Sequence, residues 1–225
     1  MNDPLSQKIR NDFDRIALHD REEWNHNNYY HRFLLKQLPV RCGTVLDIGC
    51  GTGEFSRLLA QRAKRAIAID LSSNMVEVAK QRSSQFANID FHVGDILQWE
   101  FPAEQFDAIV SIATFHHLPV ESLLPNLKSA LKPGGRLAIL DLLEYESWQD
   151  SLSDLIAVPL NWGFQMLKNR NMKLSPEAAA AMKEHVRTDR YLTLSQARRI
   201  YSKSMKGASI RKHLFWRYSV VWEKS

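Results

Sequence analysis

Residues 45–53 read Val45-Leu46-Asp47-Ile48-Gly49-Cys50-Gly51-Thr52-Gly53. This stretch predicts a strand that ends in an acid, breaks into alternating glycines and leads into a helix near Glu54. Glycine favours such a turn because it adopts positive φ and has no Cβ to block a ligand. Strand–turn–helix units of this kind bind nucleotide-like ligands at the carboxyl edge of a parallel sheet. The sequence therefore predicts a ligand site directly after this strand.

Four further apolar segments follow, and most of them close on an acid or begin at a tight turn. They are residues 65–70, ending at Asp70; residues 89–96, closing on Asp95; residues 106–113; and residues 131–141, where Lys132-Pro133-Gly134-Gly135 leads into a strand ending at Asp141. Helical patterns lie between them, over residues 56–64, after Ser72 or Ser73, and over residues 121–131. The alternation predicts a parallel sheet covered on both faces.

The successive segments D-I-G-C-G-T-G, A-I-D, G-D-I, F-D-A-I-V and L-K-P-G-G-R-L resemble, in order, the class I S-adenosylmethionine-dependent methyltransferases. The resemblance covers roughly residues 40–143. It implies an α/β, Rossmann-like, doubly wound fold whose mostly parallel seven-stranded sheet carries helices on both faces. It also implies S-adenosylmethionine as cofactor and in-line methyl transfer to a small-molecule acceptor.

The rest of the chain is interpreted as additions to this core within one domain, residues 1–225. We expect an amino-terminal helical lid (1–40, with a helix over 29–38), the cofactor-binding core (41–143), a helical cap (144–206) and a closing strand pair (207–225). In the cap, residues 148–167 have helical spacing that Pro159 should kink or split, Ser175-Pro176-Glu177 should start a second helix, and residues 195–205 a third. The cap either covers the substrate or only thickens the fold.

The resemblance assigns cofactor contacts position by position. It places Asp47, Gly49, Cys50, Gly51 and Gly53 around the methionine moiety and ribose. Asp70, 23 positions after Asp47, would bind both ribose hydroxyls, because an ionised carboxylate accepts two hydrogen bonds. Leu71 and Met75 would pack on the adenine, Asp95 and Ile96 would bind its edge, and Ser111 and Ile112 would place a carbonyl near the ammonium group. The alternative for Asp47, Asp70 and Asp95 is that each caps a following helix or turn.

Residues 24–31 are rich in aromatic and amide side chains. Related methyltransferases fold comparable segments over the cofactor, which makes Trp24, His26 and Tyr30 further candidates for binding it. The alternative is a surface helix cap with one buried tryptophan. Trp148, Trp162 and Phe164 are candidates for an apolar acceptor pocket, although aromatic residues at helical spacing also build plain core.

His116 and His117 follow the fourth strand, in a loop that faces the methyl group in this fold. A neutral histidine can take a proton from an oxygen, nitrogen or thiol acceptor. Alternatively, one histidine packs structurally and the other binds the cofactor. Asp141 is a third catalytic candidate that would orient the acceptor, or else a helix cap.

Composition limits the remaining possibilities. The net charge is +5, and the basic excess lies in residues 144–225, which contain 14 Lys/Arg against 8 Asp/Glu. This excess fits either a solvated surface or attraction to an acidic substrate or nucleic acid.

Cys42 and Cys50 are expected as reduced thiols, consistent with a cytoplasmic protein. We expect no membrane segment or signal peptide. No H-E-x-x-H or zinc-type Cys/His spacing occurs, so the sequence predicts no metal.

Three other functions compete with small-molecule methylation. RNA or protein could be the acceptor, although Ala113-Thr114-Phe115-His116 replaces the N-P-P-Y-type motif of base-amino methyltransferases, so we do not expect a nucleic-acid partner. The chain could instead be a non-catalytic cofactor-binding module. A nicotinamide oxidoreductase is disfavoured because Glu54 occupies the place of the third glycine in G-x-G-x-x-G. The sequence specifies no oligomeric state.

Overall fold

The computed structural model of the protein describes residues 4–20, 24–146, 154–168, 183, 184, 186 and 189–225. In chain order, its main elements are α1 (Pro4–Ala17), α2 (His31–Gln37), β1 (Cys42–Ile48), α3 (Glu54–Ala60), β2 (Ala63–Asp70), α4 (Ser73–Arg82), β3 (Ile89–Val93), β4 (Phe106–Ile112), α5 (Val120–Ala130), β5 (Leu131–Glu144), α6 (Asp154–Lys168), β6 (Leu192–Thr193), α7 (Leu194–Ser204), β7 (Ser209–His213) and β8 (Arg217–Glu223). Short 3₁₀ turns cover Asn28–Tyr30, Ile96–Gln98 and Phe115–His117.

The main sheet has the strand order β3-β2-β1-β4-β5-β8-β7. Strands β1 to β5 are parallel to their neighbours, whereas β8 runs antiparallel to both β5 and β7. The predicted α/β fold with a mostly parallel sheet is therefore confirmed. The strand β6 pairs with the end of β5 and adds an eighth strand. The order reverses between β1 and β4, and ligands of open α/β sheets bind at such a reversal.

The central strands are apolar on both faces because helices cover both. Leu46 and Ile48 of β1 lie in the hydrophobic cluster that includes Leu124 of α5. Val45 lies in the other cluster, with residues of α2 and α3 such as Leu34. Successive strand residues point to opposite faces, so this division places the two clusters on the two sides of the sheet.

Two sequence-based boundaries were wrong. The helix predicted over 56–64 ends at Ala60, and residues 63 and 64 belong to β2. Pairing explains the difference, since Ala63 lies opposite Cys42 in the parallel ladder and the sheet extends β2 beyond its apolar run. The helix predicted from Tyr29 begins as a 3₁₀ turn and becomes α-helical only at His31.

The described part of the cap contains α6, β6 and α7. Helix α6 continues through Pro159 without being split. Helix α7 is fixed at its start by a capping box, in which the Thr193 side chain accepts from the Gln196 backbone and Gln196 bonds back to Thr193. Trp148 and the helix expected from Ser175 lie outside the described residues.

Cys42 and Cys50 are buried free thiols, as the sequence predicted. No helix in the described ranges combines the length and the apolar character required to cross a bilayer.

Candidate active site

The glycine turn after β1 is held by the neighbouring strand. The backbone N–H groups of Gly49 and Cys50 both donate to the Ile69 carbonyl, over 2.8 and 3.0 Å. Gly49, Gly51 and Gly53 have φ values of 70°, 51° and 79°, a region that side-chain-bearing residues rarely adopt. A Cβ on Gly49 would lie 2.0 Å from Thr114 Oγ1, whereas a Cβ on Gly51 would meet no atom within 4 Å. The turn therefore leaves open space beside Gly51.

Asp70 braces this turn from the end of β2. Its Oδ2 accepts from the Gly51 N–H over 2.8 Å, and its Oδ1 accepts from the Ser72 N–H over 2.9 Å. Burial raises the pKa of Asp70, while the backbone hydrogen bonds oppose that rise. Each carboxylate oxygen accepts more than one hydrogen bond, so Asp70 retains capacity for a ligand.

Asp47 and Asp95 complete a row of acids at the carboxyl edge of the sheet. Asp47 is almost fully buried and accepts from Ser56 Oγ over 2.6 Å. Asp95 caps the 3₁₀ turn after β3, where its Oδ1 accepts from the Leu97 N–H over 2.9 Å. Asp95 therefore caps a turn, which was the alternative to cofactor binding, and it also lines the cavity at this edge of the sheet.

One cavity of about 790 Å³ lies along this edge. Thirteen of the eighteen sequence-predicted site residues line it: His26, Asp47, Gly49, Cys50, Gly51, Asp70, Leu71, Met75, Asp95, Ile96, Ile112, His116 and His117. Helix α1 covers the cavity with Ser6, Ile9 and Phe13, residues that the sequence did not single out because α1 carries no motif.

The other five predicted residues lie behind the cavity wall. Ser111 Oγ donates to the Ile48 carbonyl, Tyr30 Oη donates to the Leu214 carbonyl, and Gly53 precedes α3 as its N-cap. Trp24 stacks on Phe164 with ring centroids 5.0 Å apart. The fifth, Asp141, contacts His116 and is described below. As placed, these five act on a ligand only through the residues that they support.

The amino-terminal segment is fastened to β8 and the cap. Arg217 donates from Nε and Nη2 to Asn27 Oδ1 over 3.1 and 2.9 Å. His26 stacks on Phe215 at 4.9 Å, and its Nε2 lies 2.9 Å from Asn161 Oδ1. Burial lowers the pKa of His26, and the hydrogen bond with Asn161 opposes that fall. These contacts place Asn25, His26 and Asn27 against the cavity.

The histidine pair stands on a sharp turn at the end of β4. Ala113 has a φ of 52°, and the following 3₁₀ turn is anchored by the fully buried Phe115. The His116 Nδ1 lies 2.7 Å from Asp141 Oδ1. Since a carboxylate oxygen accepts, Nδ1 carries the hydrogen and Nε2 is left facing away from Asp141. Asp141 therefore orients the ring of His116.

The cap adds a carboxylate and a phenol that sequence reasoning missed. Asp189 Oδ2 lies 3.8 Å from His116 Nε2, and Asp189 Oδ1 lies 3.8 Å from His117 Nδ1. Tyr191 Oη donates to Asp189 Oδ2 over 3.0 Å. Arg217 lies at the same end of the cavity, and burial lowers its pKa to about 10. No local motif marks these residues, which lie 72 or more positions after His117.

Comparison with known proteins agrees with this geometry. Residues 45–135 match the model of a methyltransferase domain family. An uncharacterized methyltransferase of Mycobacterium bovis is 31% identical over 204 residues, which cover 89% of this chain and 97% of that protein. The demethylmenaquinone methyltransferase of Tropheryma whipplei is 32% identical over 143 residues, covering 60% of this chain and 59% of that protein.

A solved structure shows the same fold. The DhpI–SAH complex superposes with a TM-score of 0.65 at 18% identity and covers 98% of this chain and 97% of that chain. A glycine turn and a row of acids along a reversal of strand order define a class I S-adenosylmethionine-dependent methyltransferase. The chain belongs to this family and is an enzyme that depends on S-adenosylmethionine.

Proposed function

We propose that this methyltransferase acts on a small-molecule acceptor, which binds beneath the cap at the histidine end of the cavity. One observation carries the proposal: a single cavity of about 790 Å³ joins the glycine turn and its acids to His116 and His117. Residues of α1 and cap residues such as Asp189 line the cavity, and a concave site of this size suits a compact acceptor better than a folded macromolecule. The relative from Tropheryma whipplei, a demethylmenaquinone methyltransferase by name, supports the same substrate class.

The residues fit the cofactor at the glycine end. The space beside Gly51 admits a close approach to the backbone, and Asp70 offers carboxylate oxygens to ribose hydroxyls. We assign Asp47 and the turn residues Gly49 and Cys50 to the methionine moiety and ribose. The remaining assignments among cavity-lining residues, to adenine, ammonium or the closing segment, are Leu71, Met75, Asp95, Ile96, Ile112 and His26. Gly53, Ser111, Trp24 and Tyr30 would act on the cofactor through the residues that they support.

Bound S-adenosylmethionine would supply a methyl group attached to a sulfonium sulfur. When the carbon–sulfur bond breaks, the sulfur keeps the electron pair and becomes a neutral thioether. The protein then has to hold the acceptor's nucleophilic atom in line with that bond at roughly 3–3.5 Å, which is catalysis by proximity and orientation. Helix α1 and the cap contribute residues to the cavity wall. The acceptor's nucleophilic atom forms the new bond to the methyl carbon, and any proton that it carries passes to a neighbouring base or to solvent.

We assign His116, His117 and Asp141 to activation of the acceptor. Asp141 holds the His116 ring so that Nε2 points away from Asp141, towards Asp189. The side chain of His117 is nearly buried, lines the same cavity and packs against the ring of His116 at 3.9 Å. These contacts support the proposal that both imidazoles lie next to the acceptor.

A panel of acceptors tests the proposal. Purified protein would be incubated with S-adenosylmethionine and phenols, quinols, amines, thiols or carboxylic acids, and S-adenosylhomocysteine and methylated product measured by mass spectrometry. We expect turnover with a small molecule, and at least a tenfold loss in His117→Ala with little change in cofactor affinity. His213→Gln is the matched control, because His213 lies on β7 and bonds to Ser219. Methylation of RNA or protein alone would overturn the assignment.

A further inference from the structure

Three nearly buried side chains converge at the histidine end of the cavity. One ring nitrogen each from His116 and His117 and one carboxylate oxygen of Asp189 lie within 4.8 Å of one another. Their side chains are 4%, 9% and 5% exposed. The Asp189 carboxylate spans the pair, with one oxygen 3.8 Å from each imidazole. These separations are too long for direct hydrogen bonds, so the three groups surround a shared space.

Outer partners orient two of the three groups. Asp141 accepts from His116 Nδ1–H over 2.7 Å, which directs the Nε2 lone pair towards Asp189. Tyr191 donates to Asp189 Oδ2 over 3.0 Å. A carboxylate behind a ligating histidine and a hydrogen bond to a ligating carboxylate are the partners that metal sites use to fix tautomer and geometry.

Two carboxyl groups and one guanidinium lie near the histidine pair. Asp141 and Asp189 place two nearly buried carboxyl groups within 4 Å of the His116 ring nitrogens. Burial lowers the pKa of Arg217 and the charge of Asp141 opposes that fall, while the Arg217 donors are directed to Asn27 and to the backbone carbonyls of Phe215 and Trp216.

We propose that His116 Nε2, His117 Nδ1 and Asp189 bind a divalent transition-metal ion, with Zn²⁺ as the best match. Two imidazoles and a carboxylate form a three-ligand set that leaves a coordination position open. All three residues line the cavity, so that position faces the acceptor space. Mg²⁺ fits less well, because it prefers oxygen ligands.

Binding an ion would require the three side chains to move closer together. Ligands about 2.0–2.2 Å from a tetrahedral zinc ion lie roughly 3.3–3.5 Å from one another. The two carboxylate-to-imidazole separations are 3.8 Å, and the three ligand atoms lie within 4.8 Å of one another, so side-chain movements of up to about 1.5 Å would bring them to these separations. Asp189 belongs to the cap, and a bound ion would therefore also tie the cap to the turn after β4.

The inference rests on the proposed function and gives the histidine pair a defined chemistry. A divalent cation beside an oxygen, nitrogen or sulfur nucleophile favours its deprotonated form and fixes its position. His116 and His117 then act as ligands, and the acceptor's proton passes to solvent. A plain general base would need neither Asp189 nor a metal.

Metal content is the direct test. Tag-free protein would be treated with a chelator, dialysed against Zn²⁺ alone, and its bound metal counted by mass spectrometry; Co²⁺ alone would be added in parallel and followed by visible absorption. We expect about one ion per chain in the wild type. Asp189→Asn and His117→Gln should each weaken metal binding by at least tenfold, since the loss of even an outer partner of a metal ligand typically costs about 10- to 100-fold in affinity.

The control is His213→Gln, which removes a histidine outside the cluster and should bind metal like the wild type. Each variant is also titrated with S-adenosylhomocysteine, and unchanged affinity shows that the variant is folded. Equal metal content in wild type, Asp189→Asn and His117→Gln would overturn the proposal, as would an equal loss in His213→Gln. If metal-free wild-type protein binds the cofactor and turns over, the metal site is contradicted and the proposed function is retained.

Discussion

Ser56 and Asp47 share a buried hydrogen bond beside the cavity, in which Ser56 Oγ donates to Asp47 Oδ2 over 2.6 Å. Asp47 is only 2% exposed. Burial raises the pKa of Asp47 to about 7, the hydrogen bond from Ser56 opposes that rise, and the charge of Asp70 adds to it. Asp47 therefore exchanges its proton near neutral pH when the cavity holds no ligand.

The first prediction is a pH-dependent stability difference. The folded-state pKa of Asp47 lies above the value of about 3.9 for an unfolded chain. Its contribution to stability is therefore complete below about pH 4 and is lost as the pH rises through 7. Asp47→Asn keeps an acceptor for Ser56 but cannot ionise. At pH 8 the variant should exceed the wild type in free energy of unfolding, by at most about 4 kcal/mol.

Urea denaturation of the ligand-free proteins at pH 5 and pH 8 measures this effect. The comparison uses the difference between wild type and Asp47→Asn, so that other titrating groups cancel. We expect the advantage of the variant to shrink between pH 8 and pH 5. If the difference in free energy of unfolding between the variant and the wild type is the same at pH 5 and pH 8, the raised pKa of Asp47 is contradicted.

The second prediction separates ligand contact from backbone strain at the glycine turn. Gly51 and Gly134 have positive φ values of 51° and 72°, and a Cβ on either meets no atom within 4 Å. Only Gly51 lines the cavity. Gly51→Ala and Gly134→Ala should therefore lose similar stability, about 1 kcal/mol, while Gly51→Ala alone loses at least tenfold in affinity for S-adenosylhomocysteine. Equal affinities in the two variants would remove Gly51 from the binding surface.

The third prediction concerns the amino-terminal segment. Arg217 donates twice to Asn27, and lysine cannot reproduce that planar fork. Arg217→Lys should accelerate hydrogen exchange in residues 25–30 by about tenfold, equivalent to the ~1.4 kcal/mol expected for lost hydrogen bonds. Arg211→Lys is the control, since Arg211 is exposed and bonds to Ser209. Unchanged exchange in Arg217→Lys would show that other contacts fasten the segment.

Much of the cofactor end could be predicted from the sequence, for a physical reason. Parallel strands place their carboxyl ends at one edge, so acids that close successive strands come together. Asp47, Asp70 and Asp95 follow this rule, and all three line the cavity. The turn could also be predicted from the sequence, because positions 49 and 51 have positive φ values that favour glycine.

The acceptor end was less predictable because its residues meet only through tertiary structure. Asp189 and Tyr191 come from the cap and Arg217 from β8, and no spacing connects them to His116. The sequence also could not show which predicted residues face inward. Ser111 and Tyr30 satisfy backbone carbonyls of Ile48 and Leu214, a choice set by packing rather than by pattern.

The most direct test of the account is calorimetric titration of the cavity with S-adenosylhomocysteine. We predict saturable binding of one ligand per chain by the wild type and a loss of about a hundredfold in Asp70→Ala, since hydrogen bonds to a charged group contribute about 1.5–3 kcal/mol each. Asp90→Ala, which removes a carboxylate bonded to Arg65 on the exposed side of β3, should bind like the wild type. No heat from the folded wild type, or equal affinity in Asp70→Ala, would contradict the placement of the cofactor in this cavity.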